Sequence, residues 1–137
     1  MPKVQRILET ALYCDDLARA TVFYHDILGC RVLEEWERLV VLDAGAGSVL
    51  LLFKRGASAA GVASPEGDIP PHDGGGPVHV AFAIPKETLP DWVATLRAAR
   101  VEVETRRRWP RGGESLYFRD PDGHSVELAT PGVWETY

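Results

Sequence analysis

The chain is poor in cysteine and has no long apolar run. Its 137 residues include only two cysteines, Cys14 and Cys30, which form neither a Cys-x-x-Cys pair nor a spacing typical of metal ligands. We therefore expect structural thiols in a reducing compartment, the cytoplasm. No stretch of about 20 apolar residues occurs, so the sequence predicts no membrane-spanning helix and no membrane partner.

Basic residues are fewer than acidic residues in this chain. The 20 acidic and 15 basic residues give a net charge of -5, whereas nucleic-acid binders usually carry a basic domain or stripe. The sequence also has no phosphate-binding loop of the Walker type, because Gly74-Gly75-Gly76 is not followed by Lys and Ser or Thr. Nucleic acid is therefore excluded as a partner, and a small molecule is expected instead.

Length and composition indicate one domain with a core of its own. A chain of 137 residues that is 45% hydrophobic and 26% charged is typical of a single compact domain. Such a chain buries enough surface to fold without structural metal or disulfides. Any bound metal would therefore serve function.

The chain contains an internal repeat with a period of about 70 residues, which places Glu9 over His79. Each copy predicts a strand, a helix and three further strands, over residues 7–55 and 77–130, and the Gly-, Ala-, Ser- and Pro-rich residues 56–76 are predicted to be a linker. In the second copy we expect a capping box of Thr88 and Asp91 and a strand over 101–105. The predicted fold is α+β, with two βαβββ repeats that form a half-barrel around one concave cavity.

Strand alternation indicates which side chains face this cavity. The inward positions of three strands carry Glu9, Ala11 and Tyr13; His79, Ala81 and Ala83; and Ser125, Glu127 and Ala129. Burying a charge costs several kcal/mol unless it is paired or coordinated, and a divalent cation would compensate Glu9, His79 and Glu127. The alternative is a polar pocket floor without metal. His25, His72 and His124 are expected at the surface.

Ser115 and Tyr117 alternate with Leu116 and Phe118 on a neighbouring strand. The same alternation predicts that they line the cavity beside Glu127, where their hydroxyls could hydrogen-bond a bound oxyanion. The alternative for Tyr117 is simple packing in the barrel wall.

Several segments together resemble the vicinal oxygen chelate superfamily. They are Leu8–Tyr13, the run Phe23-Tyr24-His25-Asp26-Ile27-Leu28-Gly29, His79–Phe82, and Leu116–Leu128 with its Asp120-Pro121-Asp122-Gly123 turn. This superfamily holds glyoxalase I, extradiol dioxygenases, methylmalonyl-CoA epimerase, fosfomycin-modifying thiol transferases and bleomycin-resistance proteins. The resemblance covers nearly the whole chain.

The resemblance implies metal ligands on the first and last strand of each repeat. These positions are Glu9, Leu50, His79 and Glu127, and because Leu50 cannot bind a metal, three protein ligands remain for Mn, Fe or Zn. In the resembling isomerases the carboxylate at the position of Glu127 also acts as a base. The family further implies a homodimer.

In the resembling thiol transferases, the segment before the Ser115 strand holds an anionic substrate. Here Arg107 and Arg111 occupy that segment, and guanidinium pairs well with carboxylate or phosphate. The alternative is a solvated edge strand.

Three functions follow as hypotheses. The first is a metal-dependent enzyme, with isomerase, lyase or dioxygenase chemistry, whose ion chelates adjacent oxygens of a small substrate. The second is a metal-free drug-binding resistance protein, for which the four tryptophans would supply aromatic surface: Trp36, Trp92, Trp109 and Trp134. The third is a thiol transferase acting on an antibiotic.

Overall fold

The computed structural model describes residues 1–137, and the chain divides into two compact units, Met1–Gly75 and Gly76–Tyr137. In the first unit, β1 (Glu9–Cys14) leads into α1 (Leu17–Val22), which continues as a π-helical turn over Phe23–Ile27. Three strands follow: β2 (Val32–Glu35), β3 (Leu39–Gly45) and β4 (Ser48–Lys54). Asp16 caps α1, as an N-cap carboxylate does, by accepting a hydrogen bond from the backbone N–H of Arg19.

The second unit repeats this order. It contains β5 (His79–Ala83), a 3₁₀ turn (Lys86–Thr88), α2 (Leu89–Ala98), β6 (Thr105–Arg108), β7 (Glu114–Arg119) and β8 (Ser125–Ala129). The strand orders are β1-β4-β3-β2 and β5-β8-β7-β6, and the first strand of each unit runs parallel to its last. The predicted pair of βαβββ modules is therefore confirmed.

Strand alternation separates a buried apolar face from an open face in each sheet. In β8, Val126 and Leu128 are buried in the core, as are Leu116 and Phe118 of β7. In the first unit Leu12 of β1 belongs to the core, together with its neighbours Cys14, Val40, Leu42, Leu50 and Leu52. The open faces therefore carry the remaining side chains of the same strands, which include the polar residues.

Two local predictions in the second unit were wrong. The Thr88 hydroxyl donates to the Pro85 carbonyl at 2.7 Å and makes no capping bond to α2, which begins at Leu89 and has Pro90 in its first turn, where the missing N–H needs no partner. The strand expected at 101–105 starts only at Thr105. β6 extends over the residues that pair with β7, and in this pairing Arg107 lies opposite Ser115. The arginine-rich segment is thus an edge strand.

Most of the predicted linker is folded against the first sheet. Residues 56–75 belong to the first unit, and Val62 and Ile69 form a β-bridge within this segment. The Tyr13 hydroxyl and His72 Nδ1 are 2.7 Å apart, and the backbone N–H of Gly56 donates to Asp73. The segment is therefore a wall of the first unit.

Candidate functional site

The open face of the second unit brings His79 and Glu127 into contact. His79 lies on β5, and Glu127 lies on the adjacent central strand β8, where it is only 5% exposed. His79 Nε2 is 3.2 Å from Glu127 Oε1, and His79 Nδ1 is 2.9 Å from the Ser125 carbonyl oxygen. The imidazole is thus held between a strand carbonyl and a buried carboxylate.

These contacts place a ring nitrogen of His79 directly against a carboxylate oxygen of Glu127. A carbonyl oxygen only accepts, so Nδ1 of His79 carries a hydrogen and a neutral ring has its lone pair on Nε2. That lone pair faces a carboxylate oxygen, which is unfavourable unless a proton or a metal ion lies between them. Imidazole nitrogen and carboxylate oxygen are donors that suit Mn, Fe or Zn, so this pair would supply two of the ligands that such an ion needs.

Ser115 and Trp109 hold the other oxygen of this carboxylate. The Ser115 hydroxyl is 2.5 Å from Glu127 Oε2, and the indole Nε1–H of Trp109 donates to Ser115 Oγ at 2.8 Å. Ser115 is completely buried. Its hydroxyl is therefore engaged by protein groups on both sides.

Tyr117 and Arg107 complete this cluster. The Tyr117 ring stacks on His79 with a centroid separation of 6.1 Å, and Tyr117 lies opposite Glu127 in the β7–β8 pairing. Burial, followed by the negative charge of Glu127, raises the pKa of Tyr117 above its ordinary value. Tyr117 therefore keeps its phenolic proton and remains a hydrogen-bond donor. The Arg107 guanidinium lies 4.2 Å from the centroid of the Trp109 ring.

Glu9 and Tyr13 line a cavity of about 790 Å³ in the first unit. Its other walls come from the strands, from Trp36 and from the 56–75 segment. Tyr13 stacks on Phe53 at 5.8 Å, and its hydroxyl meets His72, so one wall is aromatic. Burial, with a smaller contribution from the negative charge of Asp73, raises the pKa of Tyr13. Glu9 is exposed and lies at the wall of this largely apolar pocket, so it is not the buried charge that the sequence predicted.

The structure unites only part of the predicted metal set. His79 and Glu127 are in contact, while no group of three or more His, Cys, Asp or Glu side chains that could hold a metal ion occurs in the chain. Glu9 belongs to the first unit, and Arg111 lies in an exposed turn between Trp109 and Gly113.

Strand register corrects the position assigned to Leu50. Glu127 pairs with Ala81, and the corresponding pair in the first unit joins Leu51 to Ala11. Leu51 lines the cavity, while Leu50 is buried in the core. The overlay of the two repeats was therefore one residue out of register, although an aliphatic side chain still occupies the position.

The three remaining histidines differ in their surroundings. His25 is exposed beside Asp26, as expected. His72 is half-buried and lines the first-unit cavity, which composition alone did not indicate because it lies in a segment rich in turn residues. His124 was expected at the surface and is completely buried. Its Nδ1 is 2.7 Å from Asp120 Oδ2, which the Asp-Pro-Asp-Gly turn folds back over it.

The sequence matches the Glyoxalase/Bleomycin resistance protein/Dioxygenase superfamily over residues 6–128, and the chain belongs to this family. The metallothiol transferase FosB of Staphylococcus saprophyticus is 31% identical over 129 residues, which cover 93% of this chain and 78% of the relative. The glutathione transferase FosA of Serratia marcescens is 26% identical over 125 residues, which cover 91% of this chain and 80% of the relative.

Among solved structures, lactoylglutathione lyase from Agrobacterium tumefaciens superposes with a TM-score of 0.87 at 35% identity. The match covers 98% of this chain and 99% of that chain. The named relatives are enzymes, and their fold agrees with the two modules seen here. The helices of this chain are too short and too polar to span a bilayer.

Replacement of His124 by alanine tests whether this buried histidine is structural. His124→Ala leaves the buried carboxylate of Asp120 without its imidazole partner, so we expect a loss of about 3 kcal/mol in the free energy of unfolding. Urea denaturation followed by circular dichroism measures the loss. The matched control is His25→Ala, which removes an exposed histidine from an exposed Asp partner and should leave stability nearly unchanged. Equal stabilities of the two variants would contradict the structural role.

Proposed function

We propose that this protein is a metal-dependent enzyme that joins a thiol to a small anionic substrate, or cleaves such an adduct, at a carbon bearing oxygen. The observation that carries the proposal is the contact of His79 Nε2 with Glu127 Oε1, an imidazole nitrogen against a buried carboxylate oxygen. A divalent ion bound there supplies Lewis-acid stabilisation of negative charge on substrate oxygens. The names of the relatives, two thiol transferases and a lactoylglutathione lyase, support the reaction class.

The surrounding residues have separate roles in this proposal. Arg107 binds the negative charge of the substrate, because its guanidinium lies on the same face as Glu127 and lowers the pKa of Tyr117 slightly against the larger upward effects. Tyr117 donates a hydrogen bond to the oxygen whose bond to carbon breaks as the bond from sulfur forms, and that oxygen finally takes up a proton. Ser115 positions Glu127. Tyr13 lies on the same strand as Glu9 and contacts the body of the substrate, and Arg111 is a second anion contact.

Glu127 can still exchange a proton with substrate as a base, as in the resembling isomerases. The bond from Ser115 to Oε2 restricts this exchange to the oxygen nearer His79. Dioxygenase chemistry has less support, because the proposed ligands are one imidazole and two carboxylates, whereas iron oxygenases commonly use two imidazoles and one carboxylate.

We propose Glu9 as the third metal ligand, supplied by a second copy of the chain in a homodimer. Two observations support this arrangement. No group of three ligand side chains occurs in one chain, and β1 and β5 are each the outermost strand of their own sheet. Glu9 and His79 lead the first strands of their modules, so the two residues occupy equivalent positions.

Metal affinity tests the proposed ligands directly. We expect the untagged protein to bind one Mn²⁺ per chain, and Glu9→Gln, His79→Ala and Glu127→Gln each to weaken binding by more than about 100-fold, since each removes a donor atom. Isothermal titration calorimetry with Mn²⁺ alone measures the affinities.

His25→Ala and Glu114→Gln serve as controls in this titration. His25 is exposed, and Glu114 pairs with Arg106. Both variants should bind Mn²⁺ as the unmodified protein does. Negligible metal in the unmodified protein and all variants would instead favour a metal-free binding protein.

A mixed dimer tests the origin of Glu9. Co-expression of differently tagged Glu9→Ala and His79→Ala chains gives a dimer in which one site lacks both residues and the other is intact, if Glu9 crosses between copies. We expect such a dimer to bind one Mn²⁺ with the affinity of the unmodified protein. If Glu9 acts within its own chain, both sites are damaged and no high-affinity binding returns.

Thiol consumption tests the reaction. With Mn²⁺, fosfomycin and either cysteine or glutathione, we expect metal-dependent loss of free thiol. Tyr117→Phe should lower kcat by about 100-fold by removing a hydrogen bond made to developing charge, and Arg107→Gln should mainly raise KM. Arg97→Gln, on the exposed surface of α2, is the control. Absence of thiol loss over a panel of oxygen-bearing electrophiles would remove the thiol reaction.

A further inference from the structure

Trp109 connects the arginine-rich edge strand β6 to Glu127, whose carboxylate is a proposed metal ligand. It follows β6, and its backbone N–H donates to the Gly113 carbonyl at 2.8 Å, which closes a short turn. The side chain is half-buried, and its Nε1–H donates to Ser115 Oγ at 2.8 Å. Ser115 in turn lies 2.5 Å from Glu127 Oε2.

The chemistry of these groups fixes the direction of both hydrogen bonds. Indole N–H is only a donor, so the Ser115 oxygen accepts from Trp109. The Ser115 hydroxyl hydrogen is then free to point at Glu127, and an ionised carboxylate only accepts. We call the two successive hydrogen bonds from Trp109 to Ser115 and from Ser115 to Glu127 the relay. Successive bonds of this kind polarise and strengthen one another.

The two carboxylate oxygens of Glu127 have different partners. Oε2 is bonded to Ser115, whereas Oε1 faces His79 Nε2 at 3.2 Å. Rotation of the carboxylate would break the bond to Ser115 inside a buried site, where an unmade hydrogen bond is unfavourable. The geometry therefore presents one oxygen to the open face.

We propose that Trp109 is a positioning residue: acting through Ser115, it holds Oε2 of Glu127 and so orients the carboxylate with Oε1 toward His79, where these two side chains would hold a metal ion. This inference rests on the proposed function, because it takes Glu127 and His79 as metal ligands. The Arg107 guanidinium lies over the Trp109 ring, 4.2 Å from its centroid. Trp109 therefore also contacts the residue that we propose binds the substrate anion. Trp109 thereby links substrate charge recognition to metal-ligand geometry.

Trp109→Phe tests the relay. Phenylalanine keeps an aromatic face for Arg107 but lacks the N–H that the relay needs and one ring of the indole, so Ser115→Ala, which breaks the relay without altering Trp109, accompanies it. Loss of an outer-shell partner typically weakens metal affinity by about 10–100-fold, so we expect about 10-fold weaker Mn²⁺ binding by calorimetry. Ser115→Ala should weaken binding at least as much. The double variant should bind no more weakly than Ser115→Ala, because both changes break one relay.

The matched control is Trp134→Phe, which alters a tryptophan of the same unit that is 67% exposed. It should bind Mn²⁺ as the unmodified protein does. Thermal unfolding accompanies each titration, and the electron paramagnetic resonance spectrum of bound Mn²⁺ reports the ligand geometry. We expect Trp109→Phe to change that spectrum without lowering the melting temperature enough to unfold the protein at the assay temperature.

The outcomes separate this inference from the proposed function. Normal Mn²⁺ affinity and an unchanged spectrum in Trp109→Phe, with His79→Ala unable to bind, would overturn the positioning role and leave the metal site standing. Fully additive losses in the double variant would also overturn it. Normal Mn²⁺ affinity in His79→Ala would remove the metal site itself.

Discussion

The site depends on one constraint, which is that a carboxylate on a central strand must have partners on both sides. Glu127 lies on β8, between β5 and β7, where water reaches only a small part of it. Each neighbouring strand supplies a group to one oxygen, His79 from β5 and Ser115 from β7. Because burying a charge without such partners costs several kcal/mol, the sheet register and the chemistry of the site are fixed together.

The two modules share a topology and divide the chemistry between them. In the first module the strand position equivalent to Glu127 is Leu51, so that sheet offers an apolar cavity with Glu9 at its wall. The second module carries the polar cluster of His79, Glu127 and Tyr117. In the function proposed above, the first surface would take the body of a substrate and the second its reactive oxygens.

Most of the fold and the inward-facing side chains follow from the sequence. Period-two alternation placed Glu9, His79 and Glu127 on the open faces and Leu12, Val126 and Leu128 in the core, although Leu8 and Val78, next to Glu9 and His79, are exposed. The errors arose where local signals compete. His124 looked like a turn residue, because sequence could not show that Asp120 folds back to pair with it. The repeat overlay slipped by one residue because two aliphatic neighbours, Leu50 and Leu51, carry no mark of which one faces inward.

The sequence by itself determined the two modules and the residue types on each open face, since alternation and turn chemistry are local properties of the chain. Only the tertiary structure decided which atoms meet. The pairing of β6 with β7 brings Trp109 to Ser115, and the pairing of β7 with β8 brings Ser115 to Glu127. Such contacts depend on strand register and on side-chain rotamers. For residues that are distant in sequence, register and rotamers are set only when the sheet has formed.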